Sequence, residues 1–513
     1  MKIFKILFLC LSVNTLLAQN VTITPWGITP QQNSAVPRLT YNAILHMIPS
    51  EGDMVYDLTF HCLRVYNGQN WVCNNKSNDN SIPNMAIISS GQKGYGAKTG
   101  VFNGEIVMAG IFTETISLSN TNNFPIVNLT SSGSTDCYLV KYNNEGQLRW
   151  AKKIGGIGYD NLSNIKIDQS GNITIIGSYT GTVDFGGVTK TATGFSNVFV
   201  AKYNQSGNLI WVKVLTGSSN ILDINGVDYD SQNNVFITGY FLSSVTAEGN
   251  TKNAIGGGFD AFYAKYNSDG TLIWIKSFGG NSGDFSNNIK SDENGNIFLT
   301  GSFEGTATFG SITKTSLGAS DMFIGKVDNN GNFLWVKTAG GSNVDAGRSL
   351  AVDISGNIIV GGLFYDNINF EGQISNSLGS SDIFIATYSG DSGTLLWKNT
   401  MGGVGLDNIS DLIIDDNNKL YLTGSFEVSI SLGSYLLSSK GSSDIFISKL
   451  DATGKILWAK SFGSYINDEG ISIIKDSNGN CFSSGHISAS TNFDGINITT
   501  NSICMYLLRI EKE

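Results

Sequence analysis

From Ser320 to Gly341 the chain reads SDMFIGKVDNNGNFLWVKTAGG, and from Ser443 to Ser464 it reads SDIFISKLDATGKILWAKSFGS. A related copy, SDIFIATYSGDSGTLLWKNTMGG, begins at Ser381. Each copy holds an apolar run opened by Asp, a turn with a glycine, and a second run carrying a tryptophan. That pattern is two short strands joined by a turn. Trp150, Trp211, Trp274, Trp335, Trp397 and Trp458 follow one another at intervals of 61, 63, 61, 62 and 61 residues. So constant a period means one supersecondary unit repeated along the chain.

Four strands fit one period. In one copy Asn288–Asp292 is the first, GNIFLTGSF from Gly295 the second, DMFIGKV from Asp321 the third and NFLWVKT from Asn332 the fourth. Tight D-x-x-G-N turns, as at Asp168–Asn172, Asp353–Asn357 and Asp476–Asn480, join first to second. Gly146, Gly207, Gly270, Gly331, Gly393 and Gly454 mark the turn from third to fourth, where a positive φ is expected. The link from second to third is longer, about twenty residues.

Four antiparallel strands repeated around an axis make a β-propeller. The repeat count predicts an all-β, seven-bladed propeller of four-stranded blades. The chain ends on a third strand, CMYLLRIEKE from Cys504, so the missing fourth strand must come from the other end. NMAIISSGQKG from Asn84 fits, with Ala86 standing where other copies have Trp. The ring is expected to close by pairing residues 85–89 with the C-terminal blade over 471–510. Closure hides edges that would otherwise recruit other chains. Each Trp lies on an outer strand, where it can cover the neighbouring blade.

The 513 residues are 14% charged, carry 61 Gly and have a net charge of −10, the profile of a turn-rich β protein. No basic field attracts phosphate, which argues against nucleic acid or an anionic membrane as partner. Residues 1–18 read as a signal peptide: Lys2 and Lys5, then an apolar core ending at Ala18. Leu9 before Cys10 argues against lipidation. Residues 19–73 form a small N-terminal β module, 74–83 a polar linker, and 84–513 the propeller. The mature protein is expected to be secreted, at the cell surface or in the periplasm. There, Cys62 and Cys73, which flank a strand–turn–strand around Asn67-Gly68, form a plausible disulfide. Cys137, Cys481 and Cys504 read as packed strand residues, with Cys481 and Cys504 at opposite ends of neighbouring strands.

The pattern D-x-F-[IVY]-x-K … G-x-L-x-W-x-K-x-x-G-G … A-x-D-x-x-G-N closely resembles the bacterial seven-bladed β-propeller (SBBP-type) repeat found in exported proteins of Bacteroidetes. The resemblance spans Asn84–Glu513. It implies a fold and carries no catalytic residues with it. AVPRLTYNAILHMIPSEGDMVYDLTFHCLRVYNGQNWVC resembles a short N-terminal module of Bacteroidetes surface proteins, for which attachment or oligomerisation are the roles considered. LDATGKILW from Leu450 resembles the Trp-docking repeat of quinoprotein dehydrogenases, but the vicinal cysteines of many such enzymes are absent. The sialidase Asp-box places Trp three residues after Gly, and here the spacing is four.

Catalytic signatures are sparse. The three His are His46, His61 and His486, and no H-E-x-x-H, C-x-x-C or G-x-S-x-G occurs. His486 ends a second strand and reads as a hydrogen-bonded surface residue. GQKGYGAKT from Gly91 departs from a phosphate loop at Ala97. The D-x-x-G-N turns are too short for calcium loops and fit Asx-turns. Asp160, Asp284, Asp345, Asp407 and Asp468 share one place in the fourth-to-first loop, while Asp136, Asp260, Asp321, Asp382 and Asp444 open third strands. Both sets belong on one face. They either pin loops through backbone N–H groups or offer carboxylates to a cation, calcium foremost, or to a polyhydroxylated ligand. The reading is an exported, non-enzymatic binding or adhesion platform for a glycan or protein. Its rivals are a glycan-active lyase or hydrolase and a purely structural surface component. The oddities that break the repeat are Arg348 and the stretch TGSSNILDINGVDYD from Thr216.

Overall fold

In the computed structural model of this chain the third strand of a repeat is its most enclosed element. Asn197–Tyr203 and Asp321–Val327 are buried along their whole length. Such strands sit mid-sheet with a neighbouring sheet against each face, so they run apolar rather than alternating. The structure describes residues 94–510, apart from 119–126, 145, 219–221, 477, 494–495, 499 and 501–502. Before residue 94 it describes short segments only.

Two compact units divide the chain, Met1–Ile82 and Pro83–Glu513. In the first, Arg38–Leu39, Met54–Asp57, Cys62–Tyr66 and Trp71–Cys73 pair in that order as a four-stranded sheet. The expected hairpin is present, but Cys73 lies opposite Arg64 and Cys62 opposite Asp57, so the cysteines are not facing partners. Their side chains, the signal segment 1–18 and the linker 74–83 lie outside the described residues.

The second unit is a β-propeller. A representative repeat pairs Asp160–Ile167 with Ile173–Tyr179, then Asn197–Tyr203, then Leu209–Gly217, all antiparallel. First strands surround the axis, each against the next, and Glu469–Lys475 returns to Gly94–Phe102. The expected turn glycines take φ between 68° and 83°. Hydrophobic clusters form between repeats: Phe236 and Tyr263 of one repeat pack with Phe303, Phe309 and Phe323 of the next.

The long link from second to third strand is where sequence and structure part. It folds as a β-hairpin that reaches back to the fourth strand of the preceding repeat. Thr182–Asp184 pairs at Gly155 and Gly156, Ser244–Ala247 at Leu215–Gly217, and Thr306–Phe309 at Gly279 and Gly280. Seven free-standing four-stranded blades are therefore not what the backbone forms. Hydrogen bonding divides the ring into five extended sheets, four of six strands and one of eight, plus a single four-stranded sheet over Asp284–Ala339. The eight-stranded sheet fuses two successive repeats, because the second strand Leu420–Leu432 runs straight on into its hairpin and meets Gly402 and Gly403. The outer edge of a fourth strand would otherwise present unpaired N–H and C=O groups, and the hairpin takes them up.

The ends meet as expected. Ala86–Ser89 lies beside Cys504–Ile510, with Ile88 facing Met505 and Ile87 facing Tyr506, and Thr115–Leu118 adds to its other edge. The register corrects one detail. Ala86 faces Leu507 as Lys152 faces Leu139, whereas Trp150 faces Lys141. The slip is two residues, which keeps every side chain on its face, so alternation alone could not detect it. Cys481 faces Ile510 and Cys504 faces Ile487, so these two buried thiols stand at opposite strand ends, as expected, and are free.

The tryptophans bind repeats together. Indole N–H groups of Trp150, Trp211, Trp274 and Trp335 donate to Gln205, Ser268, Asn329 and Gly390 carbonyls in the following repeat's turn, at 3.1–3.3 Å. A Cβ on Gly270 would meet the Trp211 ring at 2.8 Å, so the turn glycine answers both to φ and to the indole. Trp458 faces the closing repeat, which has chain ends where the others have that turn. Among the described residues its N–H has no acceptor.

Deleting Ile503–Glu513 removes the strand between Cys481–Ile487 and Ala86–Ser89, leaving both without a partner on that side. We expect aggregation or proteolysis of the truncated chain. A monomeric truncation melting at the full-length temperature, read by calorimetry and light scattering, would contradict the closure.

Candidate functional site

The two aspartate sets meet at the junctions between repeats. At one junction Asp321 opens a third strand and Asp345 opens the first strand of the next repeat, with Gly340-Gly341 between them. The Gly341 N–H donates to Asp345 Oδ2 at 2.7 Å, and the Leu317 N–H donates to Asp321 at 3.1 Å. A Cβ on Gly340 would lie 2.2 Å from the Asp321 carboxyl carbon, and one on Gly341 would lie 1.9 Å from the Asn367 carbonyl of the hairpin. Only Gly-Gly passes between the carboxylates and the hairpin. Asp136 with Asp160, Asp260 with Asp284, Asp382 with Asp407 and Asp444 with Asp468 occupy equivalent positions. The Gly156 and Gly280 N–H groups donate to Asp160 and Asp284 at 2.8 and 2.7 Å, and the Ser464 N–H donates to Asp468. A Cβ on Gly279 would touch Asp260 and Asp284 together, so the two carboxylates share one enclosure.

Burial raises the carboxyl pKa at these places, and the partner carboxylate adds to it against the backbone donors. Asp160, Asp284 and Asp407 are pushed up to about 7 and Asp345 to about 8. Asp260 rises to about 6 through burial alone against its backbone donors. The Oδ1 atoms of Asp136, Asp160, Asp260 and Asp284 are buried without a partner among the described residues. A proton held within each pair near neutral pH relieves the repulsion of two enclosed carboxylates. The sequence places both sets on one face but does not show that they face each other across the junction.

These carboxylates are not a ligand surface: Asp160, Asp284, Asp345, Asp407 and Asp468 are at most 1% exposed. What they present is the loop that each holds. Leu317 and Leu378, whose N–H groups Asp321 and Asp382 accept, are 67% and 69% exposed. Ile157 follows Gly156, Val404 follows Gly403 and Tyr465 follows Ser464, and all three project into solvent from fourth-to-first loops. Phe195 and Ile255 project likewise from second-to-third loops. The face therefore carries apolar tips on a polar, tightly pinned base.

One junction departs from this plan. Asn197 stands where the others have Asp, and the next repeat adds Asp223. In the same repeat as Asp223, Tyr240 and Phe259 pack with Phe285 of the following repeat, with ring centroids 4.9–5.7 Å apart, and the Tyr240 hydroxyl donates to Asp223 at 3.3 Å. His486 is half-buried rather than on the surface, and burial lowers its pKa against the opposing pull of the Glu469 and Asp468 carboxylates. Lys98 of GQKGYGAKT lies in the strand Gly94–Phe102 and donates to the Ile471 carbonyl at 3.2 Å, with Ala97 fully buried. The D-x-x-G-N aspartates act as turn caps: Asp168 Oδ1 accepts the Ser170 and Asn172 N–H groups at 2.9 Å. Its other oxygen pairs with the buried Lys202 at 2.9 Å, which accounts for the recurrent lysine of the third strand. No group of three or more His, Cys, Asp or Glu suited to a metal occurs among the described residues. A junction brings two carboxylates, where calcium takes about six to eight oxygens.

The chain is a β-propeller repeat protein by its strand pairing, and no protein-family model matches it. Among curated proteins it is similar to an uncharacterized WD repeat-containing protein, L264, of Acanthamoeba polyphaga mimivirus. Identity is 25% over 363 residues, 58% of this chain and 26% of that protein. The chain thus spans about a quarter of that relative's length. Among solved structures it is similar to the Dos1 propeller, with 9% identity and a TM-score of 0.41 over 83% of this chain and 94% of that one. The β-propeller domain of the Trilobed protease from Pyrococcus furiosus has 9% identity and a TM-score of 0.40 over 80% and 96%.

The junction carboxyls fix how stability varies with pH. Their folded pKa values lie above the unfolded value, so the folded state holds more protons and stability falls as pH rises from about 4 to about 8. His486, lowered by burial, acts the other way, and so does Lys290 close to pH 8. Thermal melts should show a falling midpoint from pH 5 to pH 8. Asp345→Asn should flatten that slope and match or exceed the native chain at pH 8. A native midpoint that rises across this window would overturn the assignment.

Proposed function

We propose that this chain is an exported binding platform that docks a partner protein on the face bearing the junction loops. The observation that carries the reading is the set of exposed apolar tips, Ile157, Leu317, Leu378, Val404 and Tyr465, all but Val404 on a loop whose backbone N–H is held by a buried aspartate. Solvent-exposed apolar side chains in matching places around a ring are costly unless something covers them. Rigid loops also lose little conformational entropy on binding. The tips are mostly aliphatic. Aliphatic groups suit protein side chains, whereas sugars are gripped by aromatic faces and free polar groups, and the carboxylates that could serve a glycan are enclosed. The signal-like segment 1–18 and the likeness to exported bacterial propeller repeats support export and placement in the envelope or outside the cell. The WD-repeat relative is in keeping with a scaffold role.

The test compares the chain from residue 19 onward with a triple variant, Leu317→Ser, Leu378→Ser and Val404→Ser, on arrays of envelope proteins and of glycans. We expect unchanged melting, because these side chains are in solvent, and at least a tenfold loss of any protein binding. A control, Leu436→Ser on an outer hairpin, should bind as the native chain does. Binding to glycans alone, or protein binding indifferent to the triple variant, would contradict the reading.

A further inference from the structure

The first repeat of the ring departs from the others at its turns. Elsewhere the turn from first to second strand opens on an aspartate, and in successive repeats that aspartate pairs with the buried lysine of a third strand, as Asp168 does with Lys202 at 2.9 Å and Asp230 with Lys265 at 3.1 Å. Here the turn is Phe102-Asn103-Gly104-Glu105, one residue shorter. By strand register Phe102 stands where the aspartate would be, and Glu105 where Asn172 stands in the next repeat. The third-strand lysine, Lys141, takes Glu105 as its partner instead. A second cation joins them. Arg149 precedes Trp150, where the other repeats have Ile210, Ile273, Leu334, Leu396 and Leu457. These departures fall at one place, and a cavity of about 470 Å³ opens there, between the two turns of this repeat and Gln205 of the next. Small-ligand sites run to about 300–1,000 Å³.

The lining groups are unevenly engaged. Glu105 pairs closely with Lys141, which is buried, and its other oxygen lies 3.6 Å from Arg149 Nε, beyond a hydrogen bond. One carboxylate thus stands between two cations, and the lysine holds it. The Arg149 side chain is 49% exposed and its guanidinium makes no hydrogen bond among the described residues. Gln147 Oε1 accepts from the Asn143 amide at 3.0 Å, which leaves the Gln147 amide N–H groups to donate. Gln205 Nε2 donates to the Ser170 carbonyl at 2.7 Å, which leaves Gln205 Oε1 to accept. The half-buried Phe102 ring lies over Gly171 of the next repeat, where a Cβ would stand 2.7 Å from it. The cavity therefore offers an unengaged guanidinium, an amide donor, an amide acceptor and a phenyl ring.

We propose that this cavity binds a sugar residue bearing a carboxylate, a uronic acid. The planar guanidinium matches a carboxylate through two parallel hydrogen bonds. The amide donor and acceptor match neighbouring hydroxyls, each of which both gives and takes a hydrogen bond. The phenyl ring covers C–H groups of the sugar. A bare anion would use the guanidinium alone, and a neutral sugar would leave it idle. The cavity lies at the turns joining first to second and third to fourth strands, the strand ends opposite the apolar tips, so the proposal does not rest on the partner-docking reading.

Isothermal titration of the whole chain tests the site with glucuronic and galacturonic acids, with methyl glucoside as the neutral sugar and acetate as the bare anion. The tighter-binding uronic acid should exceed methyl glucoside at least fivefold in affinity and acetate at least tenfold. Arg149→Leu installs the residue type of the other repeats, so melting should be unchanged while the preference for the acid over methyl glucoside is lost. Gln147→Ala should weaken both kinds of sugar by a similar factor. Lys314→Met, on a hairpin of another repeat, should bind as the native chain does. Absence of uronic acid binding, affinity no greater than for acetate or methyl glucoside, or an Arg149→Leu variant that binds the acid as the native chain does would overturn the proposal.

Discussion

The fold depends on a close approach. At four of the five aspartate junctions a Gly-Gly backbone threads between a buried carboxylate and a hairpin carbonyl, with no room for a single Cβ; at the fifth the pair is Gly463-Ser464. Gly403 shows the limit, since a Cβ there would stand 1.7 Å from the Ser429 carbonyl. That contact joins three segments at once: the fourth strand of one repeat, the first strand of the next, and the hairpin that the next repeat sends back. The aspartates satisfy backbone N–H groups that would otherwise be orphaned by the tight passage. Their proximity to each other is the electrostatic consequence, and their raised pKa values measure it.

Joining of this kind makes the ring more than a stack of independent sheets. Hydrogen bonds, indole-to-carbonyl contacts and interleaved aromatic rings all cross from one repeat to the next. Repeat proteins gain stability chiefly from neighbour interfaces, and here the hairpins extend that interface into the sheets themselves. The series is not uniform: Asn197 interrupts the aspartates, and the Trp458 N–H has no acceptor among the described residues.

Much of this was legible in the sequence. The period of the tryptophans, the turn glycines, and the pairing of the first propeller strand with the last follow from spacing and strand chemistry. So did the alternative that the aspartates pin loops. The hairpins were not legible. Their strands are short and polar, as in Thr189–Thr191, with exposed alternate residues, so they read as loop. The count of free-standing blades failed for that reason, since the hairpins hydrogen-bond across what sequence treats as a boundary. Recurrent Thr pairs, such as Thr182 with Thr191 and Thr306 with Thr315, bridge these hairpins at 2.8 and 2.9 Å and are the signal that could have revealed them.

Rigid presentation of the apolar tips is the link between this architecture and a binding role, and amide hydrogen exchange measures it directly. The N–H groups of Gly280, Gly341, Leu317 and Leu378 sit in loops beside exposed side chains, yet each is donated to a buried aspartate. The account predicts that they exchange as slowly as amides of the buried third strands, through global unfolding only. Exchange of these amides at the fast rate of open surface loops would contradict it, because the carboxylates would then not be holding the junctions closed.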